Sequence, residues 1–225
     1  MLVEHESLKN ALRAARGVIP ENHATRLHRA ISWLQCAGEQ TDNLDLQFMS
    51  LWVCFNACYS TDGGGDLELS EREEFRKFAR RLVEHDTDGK IFRCLWKKYS
   101  GPVRMLINSH YVYAPFWAYY QRQMQFAVKA DKPNWRAQFD KSVKDALRDL
   151  QDENVPELLC TVLGRLYVLR NQLMHGGATY KSRVNRKQVK DGSNILAALM
   201  PIIIEIMMAA PKEDWGKIAW PVVKD

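Results

Sequence analysis

The chain has 225 residues, a length that favours a single domain. Lys and Arg together number 32 against 27 for Asp and Glu, so the formal net charge is +5, which permits a polyanionic partner without requiring one. Hydrophobic residues make up 46% of the chain and glycine contributes only 12 positions, which excludes the disordered, collagen-like and low-complexity classes.

The sequence predicts a cytoplasmic protein with no membrane contact. Residues Met1–Gly17 carry scattered charges and lack the apolar stretch of a signal peptide. The most apolar run, Ile195–Ala210, spans 16 residues and is interrupted by Pro201 and Glu205, so it is too short for a membrane span and predicts a buried helix. The cysteine count of 5 is odd, which fits a reducing compartment.

Helical periodicity dominates the chain and predicts an all-α fold. The predicted helices are Glu4–Arg16, Ala24–Glu39, Leu44–Tyr59, Ser70–His85, Ile91–Tyr99, Pro115–Val128, Trp135–Leu150, Val155–Met174 and Asn194–Ala210. The glycine-rich segment Asp62–Asp66 predicts a loop.

Because no Gly- or Pro-rich linker divides the chain, we predict a single-domain bundle of about eight to ten helices. Residues 1–22 would form an N-terminal helical arm and residues 23–210 the helical core. Residues 211–225 would form a C-terminal tail that lies on the surface and is anchored by Trp215 and Trp220.

The predicted helix Val155–Met174 places an arginine in an apolar stripe. At helical spacing the stripe is formed by Val155, Leu159, Val162, Leu163, Leu166 and Leu173. Arg170 falls within it, and burying a guanidinium without an anionic partner is costly. Two kinds of anionic partner for Arg170 are possible: a carboxylate of the same chain, or a phosphate in a cleft. The candidate carboxylates are those of Glu39, Asp42 and Asp45.

Another side of this helix carries polar and small residues. Asn171 and His175 are four residues apart and therefore neighbours on one side. Gly164, farther up that side, would allow a second helix to come close, while Gly176-Gly177 predicts the end of the helix. His175 then lies in the last turn, where the carbonyl ends favour an imidazolium, and histidine can move a proton near neutral pH.

A basic segment follows directly. It contains five cations within ten residues, namely Lys181, Arg183, Arg186, Lys187 and Lys190. A solvated loop is the simpler interpretation. The alternative is an arm that positions phosphates of RNA through Lys181, Arg183, Arg186 and Lys187.

Other candidate sites are weaker. The aromatic-rich segment His110–Tyr120 predicts core packing, with stacking on nucleic-acid bases as the alternative. Cys54 and Cys58 share a helix face but have no second ligand pair at matching spacing, so we expect buried thiols. We therefore expect no metal and no cofactor.

The run Arg170-Asn171-Gln172-Leu173-Met174-His175 resembles the signature of the HEPN superfamily, in which an arginine, often followed by a polar residue, precedes a histidine by a short helical interval. The segments Arg29–Leu34 and Phe48–Tyr59 are similar to the N-terminal helices of a bacterial HEPN group. The close of the chain, Ile195–Met208 with Asp214-Trp215-Gly216, is similar as well, so the resemblance covers about Ala24 to the C-terminus.

The resemblance implies a helical bundle that forms a homodimer, with both motifs facing a shared cleft. Active members are metal-independent endoribonucleases of toxin–antitoxin, phage-defence or RNA-processing systems, which implies RNA as substrate and an antitoxin or defence-system protein as a possible partner. By this resemblance His175 acts as general base or acid, Arg170 stabilises charge on the phosphate, and Asn171 holds the imidazole or the phosphate. Other members are not catalytic, which leaves a module that binds RNA, nucleotide or a partner protein as the alternative.

Overall fold

The computed structural model describes residues 2–60, 69–126 and 134–223. These ranges contain ten α-helices and no β-strand, which confirms the predicted all-α bundle. The helices are α1 (Leu2–Ala14), α2 (Glu21–Glu39), α3 (Leu44–Tyr59), α4 (Leu69–His85), α5 (Lys90–Phe92), α6 (Ser100–Ile107), α7 (Ala114–Phe126), α8 (Trp135–Gln151), α9 (Val155–Met174) and α10 (Arg186–Ala209). A π-helical turn (Arg93–Lys98) follows α5, and a 3-10 turn (His110–Val112) follows α6.

The bounds of α3 and α9 are those predicted, whereas several other regions differ. The predicted helix Ile91–Tyr99 is instead the short α5 followed by the π-helical turn. Helix α6 was not predicted, because Gly101 and Pro102 are residues that usually interrupt a helix. Pro102 lies in the first turn of α6, where proline is tolerated. The predicted loop Asp62–Asp66 and the end of the predicted helix at Val128 lie outside the described residues.

Helix α10 begins at Arg186, well before the predicted start at Asn194. The early turns contain Gly192, which the packing requires to be small: a Cβ there would lie 2.9 Å from both Leu166 Cδ2 and Phe48 Cε2. By length and composition α10 could cross a membrane, but 61% of its apolar 18-residue stretch is buried inside the protein. That burial supports its interpretation as a core helix.

The core is built around α2, α3, α9 and α10. Helices α2 and α3 pack along most of their length, α10 lies against both, and α4 and α6 pack on α9. Leu27, Phe48, Leu163 and Ile203 are fully buried at the centre of this arrangement. Helix α1 packs on α2 and α10 and contributes Leu8 to the core.

Arg26 joins the tail to the bundle from inside. Its side chain is only 2% exposed; Nη1 donates to the Cys58 carbonyl at 2.7 Å and Nη2 to the Gly216 carbonyl at 2.8 Å. Burial lowers the pKa of Arg26, whereas the nearby Asp214 carboxylate raises it. A guanidinium with two separate donors can therefore connect the end of α3 to the C-terminal segment.

Only one of the two predicted tryptophan anchors holds the tail. Trp215 is 4% exposed and donates from Nε1 to the Ala210 carbonyl at 3.0 Å, as expected of an anchor. Trp220 is 85% exposed, so its predicted anchoring role is wrong. That part of the tail is held instead by Arg29, which donates to the backbone carbonyls of Ala219 and Trp220.

We predict that Arg26→Lys lowers the free energy of unfolding by about 2–4 kcal/mol, because one ammonium cannot satisfy two separate buried carbonyls. Arg29→Lys is the matched control, since its bonds to the tail are more exposed, and we expect it to cost under about 1 kcal/mol. Urea unfolding followed by tryptophan fluorescence measures both. Equal losses in the two variants would contradict the structural role given to Arg26.

Candidate functional site

Helix α9 ends at Met174, and His175 begins a glycine-dependent cap. Gly176 has φ +70°, and its N–H donates to the Leu173 carbonyl at 3.4 Å. The Gly177 N–H donates to the Gln172 carbonyl at 2.7 Å, which completes a Schellman motif. A Cβ on Gly177 would lie 3.0 Å from that same carbonyl oxygen. The cap leaves the His175 side chain exposed at the carbonyl end of α9, as predicted.

Arg170 lies half-buried in the last turns of α9 and is not neutralised by a carboxylate. Its Nη1 donates to Asn171 Oδ1 at 2.9 Å, and its buried Nε has no hydrogen-bond partner among the described residues. Within those same residues, no acidic oxygen comes within 4.0 Å of its guanidinium, the limit for an ion pair. Arg170 therefore retains donors that can meet an anion from outside the chain.

The fully buried arginine of α9 is Arg165, which the sequence argument did not single out. It is 3% exposed, and its Nη2 donates to the Ile107 carbonyl at 3.3 Å and to Ser142 Oγ at 3.2 Å. Its guanidinium also lies over the ring of Tyr113, 4.5 Å from the centroid. These acceptors come from segments far away in the sequence, so no local pattern around Arg165 could have revealed them.

Asp45, one of the carboxylates predicted to face Arg170, instead binds the basic segment. Its Oδ2 accepts from the Lys181 backbone N–H at 2.8 Å and from Arg186 Nη2 at 3.0 Å, while Arg186 Nη1 lies 3.0 Å from Oδ1. Asp45 is 7% exposed at the start of α3. The same connection is tied to α3 a second time, because Asn43 Nδ2 donates to the Tyr180 hydroxyl at 2.6 Å. The path from α9 to α10 is thus fixed onto the N-terminus of α3.

The predicted phosphate-binding residues differ in solvent exposure and therefore in how readily they could bind a phosphate. Lys181 and Arg183 are exposed in the connection between α9 and α10, and Lys187 is exposed in the first turn of α10. Arg186 is half-buried in its pair with Asp45, so a phosphate would have to compete with that carboxylate. The segment expected as a loop is in part helical, but it does follow directly upon Arg170, Asn171 and His175.

Gln172 connects the end of α9 to two neighbouring segments. Its Nε2 donates to the Tyr111 carbonyl at 2.6 Å, and its Oε1 accepts from Asn185 Nδ2 at 2.6 Å. Asn185 precedes α10 with φ 60°. One side chain between Arg170 and His175 therefore positions both the 3-10 turn and the start of α10. Sequence analysis gave no sign of this role, because both partners are remote from Gln172 along the chain.

A cavity of about 240 Å³ opens beside this network, between α6, the 3-10 turn and α10. Its lining consists of Met105, Leu106, Asn108, Ser109, His110, Tyr111, Lys187, Gln188 and Asp191. Burial raises the pKa of Asp191, whereas Lys187 and Lys190 lower it. The cavity is thus partly apolar and carries one partly dehydrated carboxylate next to exposed lysines.

Comparison of this chain with protein-family models, with curated proteins and with solved structures found no match. The HEPN resemblance of the run from Arg170 to His175 therefore stays a prediction.

We predict that Asp45→Asn lowers the free energy of unfolding by about 1–3 kcal/mol, because it leaves the half-buried Arg186 without its carboxylate. Asp42→Asn makes the same chemical change at an exposed position just before α3 and should cost less than about 0.5 kcal/mol. Urea unfolding monitored by circular dichroism compares them. If Asp45→Asn proved as stable as Asp42→Asn, the anchoring of the basic segment described here would be wrong.

Proposed function

We propose that this protein is a metal-independent endoribonuclease of the HEPN type that acts as a homodimer on cytoplasmic RNA, in a toxin–antitoxin or phage-defence setting. The observation that carries the proposal is the half-buried Arg170 guanidinium, which bonds Asn171 rather than an acid, a little over one turn before the exposed His175. A cation with unused donors beside a solvent-accessible imidazole is the minimal equipment for phosphate chemistry without a metal.

The proposed reaction is an intramolecular transesterification. The ribose 2′-oxygen attacks the adjacent phosphorus while His175 accepts the proton of the 2′-hydroxyl; the bond from phosphorus to the 5′-oxygen then breaks. A second imidazole, the partner subunit's His175, donates a proton to that leaving oxygen. The products are a 2′,3′-cyclic phosphate and a 5′-hydroxyl, and no other reactant is consumed. Arg170 stabilises the extra negative charge on the phosphate oxygens through charge-assisted hydrogen bonds.

A second copy of the chain would supply what one protomer lacks. Each protomer offers one His175, whereas the reaction uses a base and an acid. Three half-buried residues of α9 lead towards this residue: Thr161, Gly164 and Asn171 lie three and then seven residues apart and so share one side. A Cβ at Gly164 would meet nothing within 4 Å, so the chain's own described packing does not require glycine there. Close approach by another helix is a reason for glycine at this position.

The non-catalytic alternative, a HEPN module that binds RNA, nucleotide or a partner protein, is favoured by one contact. The Asn171 side chain accepts from Arg170, and among the described residues no side-chain hydrogen bond joins Asn171 to His175. A general base is ordinarily held by a third group. In this alternative, exposed Lys181, Arg183 and Lys187 would still attract phosphates.

The purified protein should cleave single-stranded RNA in the presence of EDTA and leave 2′,3′-cyclic phosphate ends. His175→Ala should lower the cleavage rate by about 100-fold or more, because proton transfer in both directions is lost. His28→Ala removes an exposed histidine on α2 and serves as the matched control, with an unchanged rate. Cleavage by His175→Ala at the parent's rate would rule out this mechanism. RNA binding by the parent without any cleavage would favour the non-catalytic module.

Gly164→Leu should convert the proposed dimer to a monomer without unfolding it. The added side chain has room within the described chain but would block a second helix that approaches α9 at Thr161, Gly164 and Asn171. Gly101→Leu is the control, because Gly101 is also helical and a Cβ there would likewise meet nothing within 4 Å, but it lies on α6. Sedimentation velocity at micromolar concentration measures the state of each. A parent protein that sediments as a monomer would contradict the composite cleft.

A further inference from the structure

The cavity beside α9 has the size and the lining of a site for one flat, polar ring. Its volume is about 240 Å³, well above the least space that one water molecule needs. Leu106 is buried at the cavity, while Tyr111 is 47% exposed. The neighbouring His110 ring packs 4.2 Å from the Tyr111 ring and 4.9 Å from that of Phe116, so this wall belongs to a packed aromatic cluster.

The polar groups of the cavity form a specific set of donors and acceptors. Asp191 presents carboxylate oxygens that no other described side chain engages through a hydrogen bond. Ser109 Oγ accepts from Gln188 Nε2 at 3.4 Å, so its own proton is free to turn towards a ligand. Lys187, exposed at the rim, is placed to meet a phosphate joined to whatever ring enters. The cavity thus offers a double acceptor, a hydroxyl donor and a cation.

We propose that this cavity binds an unpaired guanine of the RNA substrate, with Asp191 as the residue that selects it. Guanine alone among the RNA bases presents two neighbouring N–H donors on its pairing edge, which match one carboxylate in a bidentate arrangement. The Ser109 hydroxyl donates to the adjacent O6, the Tyr111 ring lies against the base, and Lys187 meets its phosphate.

The location of the cavity connects it to the proposed cleavage site. Gln172 donates to the carbonyl of Tyr111, a cavity-lining residue, and Gln172 precedes His175 by three residues on α9, or about 4.5 Å along the helix axis. A guanine bound here would set which phosphate reaches Arg170 and His175. This inference rests on the proposed ribonuclease function for its effect on cleavage, but base binding itself can be measured separately.

The first experiment exposes an RNA pool of random sequence to the full-length protein and identifies the bases around each cut. We expect guanine to be enriched at one fixed position, and Asp191→Asn to reduce that enrichment about tenfold or more, because an amide cannot accept both N–H groups. Asp152→Asn makes the same change at an exposed position at the opposite end of α9 and should keep the enrichment. Ser109→Ala provides a second variant that removes only the hydroxyl donor, with a smaller expected loss.

The second experiment measures binding of guanosine 5′-monophosphate and adenosine 5′-monophosphate by calorimetry, without any cleavage. We expect the guanine nucleotide to bind at least about tenfold more tightly, and this preference to disappear in Asp191→Asn but not in Asp152→Asn. Cleavage with no guanine preference, or with one that survives Asp191→Asn, overturns the base site while leaving the ribonuclease proposal intact. Asp191-dependent guanine binding by a protein that never cleaves RNA supports the site and contradicts the ribonuclease. No preference in either experiment overturns the site.

Discussion

A guanidinium cannot lose its proton under ordinary conditions, so each one buried in this protein must be provided with acceptors, and much of the architecture follows from that requirement. Arg26 takes carbonyls from Cys58 and Gly216 and thereby holds the C-terminal segment against α2 and α3. Arg165 takes the Ile107 carbonyl and the Ser142 hydroxyl and so connects α6 and α8 to α9. Both cations join segments that are distant along the chain.

Arg170 differs from Arg26 and Arg165 in its burial and in its hydrogen-bond partners. It is half-buried, its side-chain partner among the described residues is the neutral Asn171, and Asp45, one of the carboxylates predicted to meet it, pairs with Arg186 instead. A charge left partly uncompensated at a helix end is a common feature of functional sites, because stability alone gives no reason to keep it. Within α9, Arg165 is buried against its acceptors, whereas Arg170 is partly uncompensated, and this contrast favours the end of α9 over its middle as the functional site.

The regular parts of this fold could be predicted from sequence, and the irregular parts could not. Helices α3 and α9 were predicted with their observed bounds because each contains a long apolar run. In the structure the Asn43 side chain caps the first turn of α3. The first turns of α10 were missed because Gly192 resembles a breaker, whereas its small size serves the contact with Phe48 and Leu166. The local sequence indicates helix preference, but it does not indicate which distant helix packs against a glycine.

The same distinction applies to the candidate site. The grouping of Arg170, Asn171 and His175 follows from helical spacing alone, so sequence sufficed. The pairing of Asp45 with Arg186, the two bonds of Gln172 and the cavity at Asp191 all depend on residues brought together by folding. The burial of Arg165 rather than Arg170 has the same origin, since the acceptors that decide it lie on α6 and α8.

The glycine cap of α9 fixes how far the His175 side chain is rotated around the helix axis relative to Arg170. The cap ends the helix directly after the imidazole, while Gln172, fixed to Tyr111 and Asn185, prevents the last turn from sliding. One residue inserted between Arg170 and the cap would turn the imidazole by about 100° around the axis and advance it by about 1.5 Å. The number of residues in this turn therefore matters to the site as much as the identity of its side chains.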